Sequence, residues 1–145
     1  MRALIQRVSS ASVSVNGEAV GEIGRGVLVF VGIEKGDTPA QAKRMAERLL
    51  SYRIFSDPEG KMNLSVADVD GGLLMISQFT LAADTKKGKR ASFSSAAPPA
   101  EAEVLFDALV QELRGCHSPI ATGQFGADMQ VSLVNDGPVT FLLTV

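Results

Sequence analysis

The run Val27-Leu28-Val29-Phe30-Val31-Gly32-Ile33 constrains the fold more than any other stretch of the chain. It is continuously apolar and rich in β-branched residues, which predicts a strand buried on both faces. It is also the longest apolar run, and it is far shorter than the ~20 residues that cross a bilayer. No membrane partner is expected. A secretory leader is not expected either, because Gln6 and Arg7 interrupt the first apolar stretch.

Other strands and two helices can be read around this one. Residues 3–15 mix apolar and small polar positions with a period near two. Asn16-Gly17 follows, and then residues 18–23; Asn-Gly between two such runs is a strong hairpin signal. Thr38, Pro39 and Gln41 have the spacing of a helix start with a capping box. Ala42, Met45, Ala46 and Leu49 then recur at helical intervals. Residues 52–55 read as a strand closed by Asp57-Pro58-Glu59-Gly60, and 62–66 as a short extended segment. Asp70-Gly71-Gly72 turns the chain into an apolar strand over 73–79. Residues 82–97 show no period and read as a long loop. Pro98-Pro99 opens a second helix with the stripe Val104, Leu105, Ala108, Leu109, Leu113 and with Gly115 just past its end. Strands near 129–134 and 139–145 are joined by a turn at Asn135-Asp136-Gly137-Pro138. Together these predict an α+β fold: a mostly antiparallel, barrel-like sheet with two main covering helices. The 145 residues suit one domain spanning 1–145.

Fourteen basic and sixteen acidic residues give a net charge of −2, so nucleic acid is not attracted to the molecule as a whole. Any such binding must come from a local patch. One cysteine, Cys116, and one histidine, His117, stand next to each other without a second cluster. No disulfide, metal or other cofactor is expected, and a free thiol suits the cytoplasm.

Three segments can carry chemistry. Ser77-Gln78-Phe79-Thr80 ends an apolar strand in polar groups; it is either a strand terminus satisfying its own backbone or a site fixed by the sheet. A nucleophilic Ser or Thr needs a base, and His117 has no third partner, so a Ser-His-Asp triad is poorly supported. Lys86-Lys87-Gly88-Lys89-Arg90 is either a solvated loop or a patch for a polyanion. With Asp84 its local sum is +3. Asn135-Asp136-Gly137-Pro138-Val139-Thr140 reads locally as a hairpin turn with an edge-strand proline.

Taken in order, Met1-Arg2-Ala3-Leu4-Ile5-Gln6-Arg7-Val8, Gly32 after its apolar strand, Ser77-Gln78-Phe79-Thr80-Leu81 and Asn135-Asp136-Gly137-Pro138-Val139-Thr140 resemble the D-aminoacyl-tRNA deacylases of the bacterial and eukaryotic dimeric type. The resemblance runs the length of the chain. Ala91 departs from it, where the family is expected to have proline before Ser92-Phe93. The resemblance implies hydrolysis of the ester joining a D-amino acid, or glycine, to the terminal ribose of tRNA. It implies a homodimer with the site at the subunit interface, where Ser77–Thr80 of one subunit face Gly137-Pro138 of the other. That Gly-Pro bond is then cis, and Arg7 braces it.

With no protein base, the resemblance implies that the ribose 2′-hydroxyl activates water while backbone N–H groups of Phe79 and Thr80 hold the oxyanion. The Thr80 hydroxyl as nucleophile is the alternative. Gln78 and Ser77 hold the loop and the ribose, and Lys86, Lys87, Lys89 and Arg90 follow the acceptor-stem phosphates. Phe125 or Met129 either packs on the terminal adenine or belongs to the core. No DNA partner is expected. The rival functions are a non-catalytic dimeric RNA-binding module and a dimer that binds a free amino acid.

Overall fold

The computed structural model describes residues 1–145. Strands β1 (Arg2–Val15), β2 (Glu18–Ile23) and β3 (Gly26–Gly32) are followed by helix α1 (Pro39–Ser51) and the short pair β4 (Phe55–Ser56) and β5 (Met62–Leu64). Then come β6 (Gly72–Ser77), a single 3₁₀ turn (Phe79–Ala82), helix α2 (Pro99–Cys116), β7 (Ile120–Thr122) and β8 (Gln130–Thr144). Six strands form one sheet in the order β2-β1-β3-β6-β7, with β8 on the other side of β1. The sheet is nearly closed and barrel-like.

The hairpin between β1 and β2 turns at Asn16 and Gly17. Their φ values of +50° and +80° are the left-handed pair that a two-residue turn of this hand requires. All three pairings of β1 are antiparallel, whereas β3–β6 and β6–β7 are parallel. The sheet is therefore mixed, more so than its turns suggested. Parallel neighbours need a long crossover, and α1 and α2 lie in the two connections that supply one.

The 27–33 run is buried on both faces. Val27, Val29 and Val31 join a 25-residue core beneath the helices, together with Met45, Leu49 and Leu109. Leu28 points the other way into a second cluster with Val8, Val13, Leu74 and Ile76. α1 buries the predicted stripe Ala42, Met45, Ala46 and Leu49, and its start carries the Gln41 Oε1 acceptor 2.7 Å from the Thr38 N–H.

α2 departs from its reading. It buries Ala102, Leu105, Phe106, Leu109, Val110 and Leu113, while Val104 is 68% exposed. Its stripe is rotated because Phe106 and Val110 take the inward side. The helix also continues through Gly115 to Cys116, and His117 N–H donates to the Leu113 carbonyl at 2.9 Å. Gly115 is thus an interior residue, and Pro119 marks the stop that glycine was expected to make.

The tail corrects the sequence reading most. The chain does not reverse at 135–138. β8 is one strand that runs antiparallel to β1 from Gln130 to Thr144, and Asn135 pairs with Val8 while Thr140 pairs with Gln6. Asp136, Gly137, Pro138 and Val139 therefore stand opposite the single residue Arg7, as an outward excursion within the strand.

Candidate active site

β6 delivers Ser77 from the buried sheet to the surface, and the chain then closes into the 3₁₀ turn at Phe79. The first bond of that turn runs from Leu81 N–H to the Gln78 carbonyl at 3.2 Å, and Gln78 N–H donates to the Val31 carbonyl at 2.8 Å. As the first two residues of the turn, Phe79 and Thr80 have N–H groups with no intrahelical acceptor. No other backbone carbonyl takes them. The Gln78 carboxamide donates through Nε2 to the Thr80 hydroxyl oxygen. Thr80 and Phe79 are exposed, Phe79 at 57%.

A cleft of about 730 Å³ opens beside this turn. Ser77, Gln78 and Phe79 form one wall, and Phe93, Phe125 and Met129 contribute much of the rest. Phe79 and Phe93 pack with ring centroids 5.2 Å apart. Phe125 and Met129 are cleft residues, a position their sequence context left open. Lys35 is the one ionisable side chain in the lining. Thr80 sits over an adjoining depression with Leu4, Phe30, Gln78 and Leu81.

No carboxylate or histidine faces Thr80 from either lining. His117 ring Nε2 lies 2.6 Å from the Gly71 carbonyl, at the start of β6. Ser77 ends that strand, about 16 Å away at ~3.3 Å per residue. His117 is a strut between α2 and the turn before β6, and Cys116 is exposed. The two carboxyls held below their usual range, Asp57 and Asp68, are also structural. Asp57 accepts from the Asn63 side chain and then from the Lys61 N–H; Asp68 accepts from the Ser65 N–H, its own N–H donates to the Ser65 hydroxyl oxygen, and Arg53 adds attraction. Neither carboxyl lines the cleft.

The 136–139 excursion is tightly tied. Arg7 Nε donates to the Asp136 carbonyl at 2.8 Å and lies 3.5 Å from its carboxylate, while Nη1 donates to the Ile54 carbonyl at 2.9 Å. Asn135 Nδ2 donates to the Arg7 and Val139 carbonyls at 2.9 and 3.0 Å, and Val139 N–H donates back to Asn135 Oδ1 at 3.3 Å. The Gly137–Pro138 bond is cis. A Cβ on Gly137 would fall 2.1 Å from the Val139 nitrogen, so only glycine fits there.

Residues 4–144 match the family described as D-Tyr-tRNA(Tyr) deacylase. The chain belongs to this family. A D-aminoacyl-tRNA deacylase of Saccharophagus degradans is 63% identical over 145 residues, all of both chains. One of Methylococcus capsulatus is 65% identical over 143 residues, 99% of this chain and 94% of the relative. Among solved structures, one described as c-Myc DNA Unwinding Element Binding Protein has a TM-score of 0.95 and 41% identity, covering 100% of this chain and 99% of that one. A probable eukaryotic D-amino acid tRNA deacylase has a TM-score of 0.81 at 18% identity over 98% and 97% of the two chains, a likeness of fold.

The deacylase fold brings some predicted residues together and keeps others apart. Ser77, Gln78, Phe79 and Thr80 form one surface. Arg7, Gly137 and Pro138 form another. Arg7 stands opposite Val27, Val27 opposite Leu73, and Ser77 four residues further on. With strands ~4.8 Å apart, the two surfaces of one chain are separated by on the order of 20 Å along the sheet. Lys86, Lys87, Lys89 and Arg90 are exposed on a loop closed by reciprocal Asp84 and Ser92 backbone bonds of 2.8 and 2.9 Å. None of the four forms an ion pair. The sequence reading missed Phe93 and Lys35. Phe93 stood in an aperiodic stretch and Lys35 in a polar turn, and only the folded neighbours mark either as part of a cleft.

Proposed function

We propose that this chain hydrolyses the ester joining a D-amino acid, or glycine, to the terminal ribose of tRNA, and that it works as a homodimer. The activity follows from family membership and from full-length relatives above 60% identity that carry the name D-aminoacyl-tRNA deacylase. The mechanism rests on one observation above all: a strand end with two unpaired N–H groups beside a cleft without a carboxylate or histidine. Such a site positions the ester and stabilises charge, but it offers no carboxylate or imidazole base. The ribose 2′-hydroxyl activates the attacking water. The N–H groups of Phe79 and Thr80 receive the oxyanion, and collapse of the tetrahedral intermediate expels the ribose oxygen. Gln78 and Ser77 hold the turn and the ribose, and the Thr80 hydroxyl stays with the Gln78 amide.

The separation of the two motifs within one chain supports completion of the site by a second copy. Leu4, Phe30 and Leu142 lie side by side across β8, β1 and β3 next to the Thr80 turn, and Leu142 is 52% exposed. That apolar face suits a partner copy, whose Gly137-Pro138 excursion would enter the site. There its carbonyls take the α-amino group, and its bulk fills the space an L side chain needs. Phe125 and Met129 flank the terminal adenine, and Lys86, Lys87, Lys89 and Arg90 meet acceptor-stem phosphates. This reading includes no DNA partner, metal or cofactor, and its substrate places it in the cytoplasm.

The test is kcat/KM for D-alanyl-, glycyl- and L-alanyl-tRNA under one set of conditions. Exclusion at the α-carbon predicts cleavage of the first two and sparing of the third, because glycine has no side chain to clash. Inert glycyl-tRNA would replace exclusion with a gripped D side chain. Binding of all three without turnover would return the chain to an RNA-binding module.

A further inference from the structure

The aromatic cleft has one charged side chain in its lining, Lys35, and the surrounding structure leaves that charge free. The backbone of Lys35 is fixed at the rim: its N–H donates to the Ser95 carbonyl at 3.0 Å, Glu34 bridges to Ala96, and Ala97 N–H donates to the Ile33 carbonyl at 3.0 Å. The two nearest acids in the chain are engaged elsewhere. Glu34 lies 3.4 Å from the Met1 ammonium and 3.2 Å from Arg2 Nε. Asp37 lies 2.8 Å from the same ammonium and accepts the Glu34 N–H at 2.7 Å. Lys35 enters no ion pair, and no carboxylate lines the cleft. A single exposed lysine at the rim of an aromatic cleft fits a ligand with a flat apolar body and one anionic group.

We propose that Lys35 forms a phosphate subsite, and that its Nζ binds the phosphodiester on the 5′ side of the terminal nucleoside of tRNA. The inference rests on the deacylase reading of the cleft. With the base between Phe125 and Met129 and the ester at Phe79 and Thr80, the 5′-phosphate is the only anion that nucleoside carries. A flexible ammonium holds a phosphate as a point charge without demanding a bidentate geometry. The subsite would count the substrate's last phosphate and so favour a nucleotide at a chain end over a free nucleoside ester.

The test compares adenosine with adenosine 5′-monophosphate by calorimetric titration, on the native chain and on Lys35→Met and Lys35→Arg. The native chain should bind the monophosphate roughly 1.5- to 5-fold more tightly, the size of an exposed charge pair. Lys35→Met should lose that advantage and Lys35→Arg should keep most of it. With D-alanyl-tRNA, Lys35→Met should raise KM while kcat holds. Equal binding of the two ligands by the native chain, or an advantage that survives Lys35→Met, overturns the proposal. A native chain that shows the phosphate advantage yet leaves D-alanyl-tRNA intact would instead overturn the deacylase reading.

Discussion

Thr80 offers two chemical groups to the proposed site, and they differ in their partners. The hydroxyl oxygen already accepts from Gln78 Nε2, whereas the N–H has no acceptor. Thr80→Val removes the hydroxyl and keeps the N–H; it should hold kcat within a few fold. Thr80→Pro removes both, at a turn position whose N–H makes no intrahelical bond. Its kcat should fall on the order of 10²–10³-fold, the usual cost of losing one oxyanion donor. Single-turnover hydrolysis of D-alanyl-tRNA measures both, and an aminoacyl ester trapped on Thr80 would overturn the backbone role. Residues differ in how far the sequence alone exposes them. Ser77 to Thr80 stand out because polar groups follow an apolar strand. Arg7 could be named only from the family likeness, since its partners Asp136 and Ile54 lie 129 and 47 positions away.

Among the elements, α1 was legible because its cap, its proline and its apolar period are local and agree. β8 was not. Asn-Asp-Gly-Pro has the same local chemistry whether the strand reverses or bulges, and the uninterrupted partner β1 decides between the two. Asn135 then takes a role no turn propensity predicts, since its side chain makes three bonds that close the neck of the excursion. Asn135→Ala should cost about 1–3 kcal/mol of stability through the carbonyls and N–H left unpaired. Displacement of Gly137 and Pro138 should also lower kcat/KM for D-alanyl-tRNA by on the order of 10²-fold and narrow its margin over L-alanyl-tRNA. Urea midpoints and matched deacylation rates measure the two effects. Normal rates and an unchanged D-to-L ratio would show that the neck is structural only.

The molecule as a whole presents two candidate surfaces on the order of 20 Å apart, and this arrangement supports the proposal of a site shared between two chains. A mixing experiment decides it. Thr80→Pro damages the N–H surface. Gly137→Ala damages the other, because the added Cβ would meet the Val139 nitrogen at 2.1 Å and the excursion must shift. Each variant alone should be nearly inactive, since every site in its homodimer lacks one half. In a twofold dimer with one chain of each kind, both lesions fall in the same composite site. The other site takes its turn from the Gly137→Ala chain and its excursion from the Thr80→Pro chain, and it is intact. Random pairing makes half of the dimers mixed, each with one good site, so co-expression should restore about a quarter of native activity. Sites built within single chains cannot complement in this way, because each chain would carry its own lesion. Activity of the co-expressed pair that stays at the level of the separate variants would therefore overturn the shared site, and a monomer in sedimentation equilibrium would give the same answer independently.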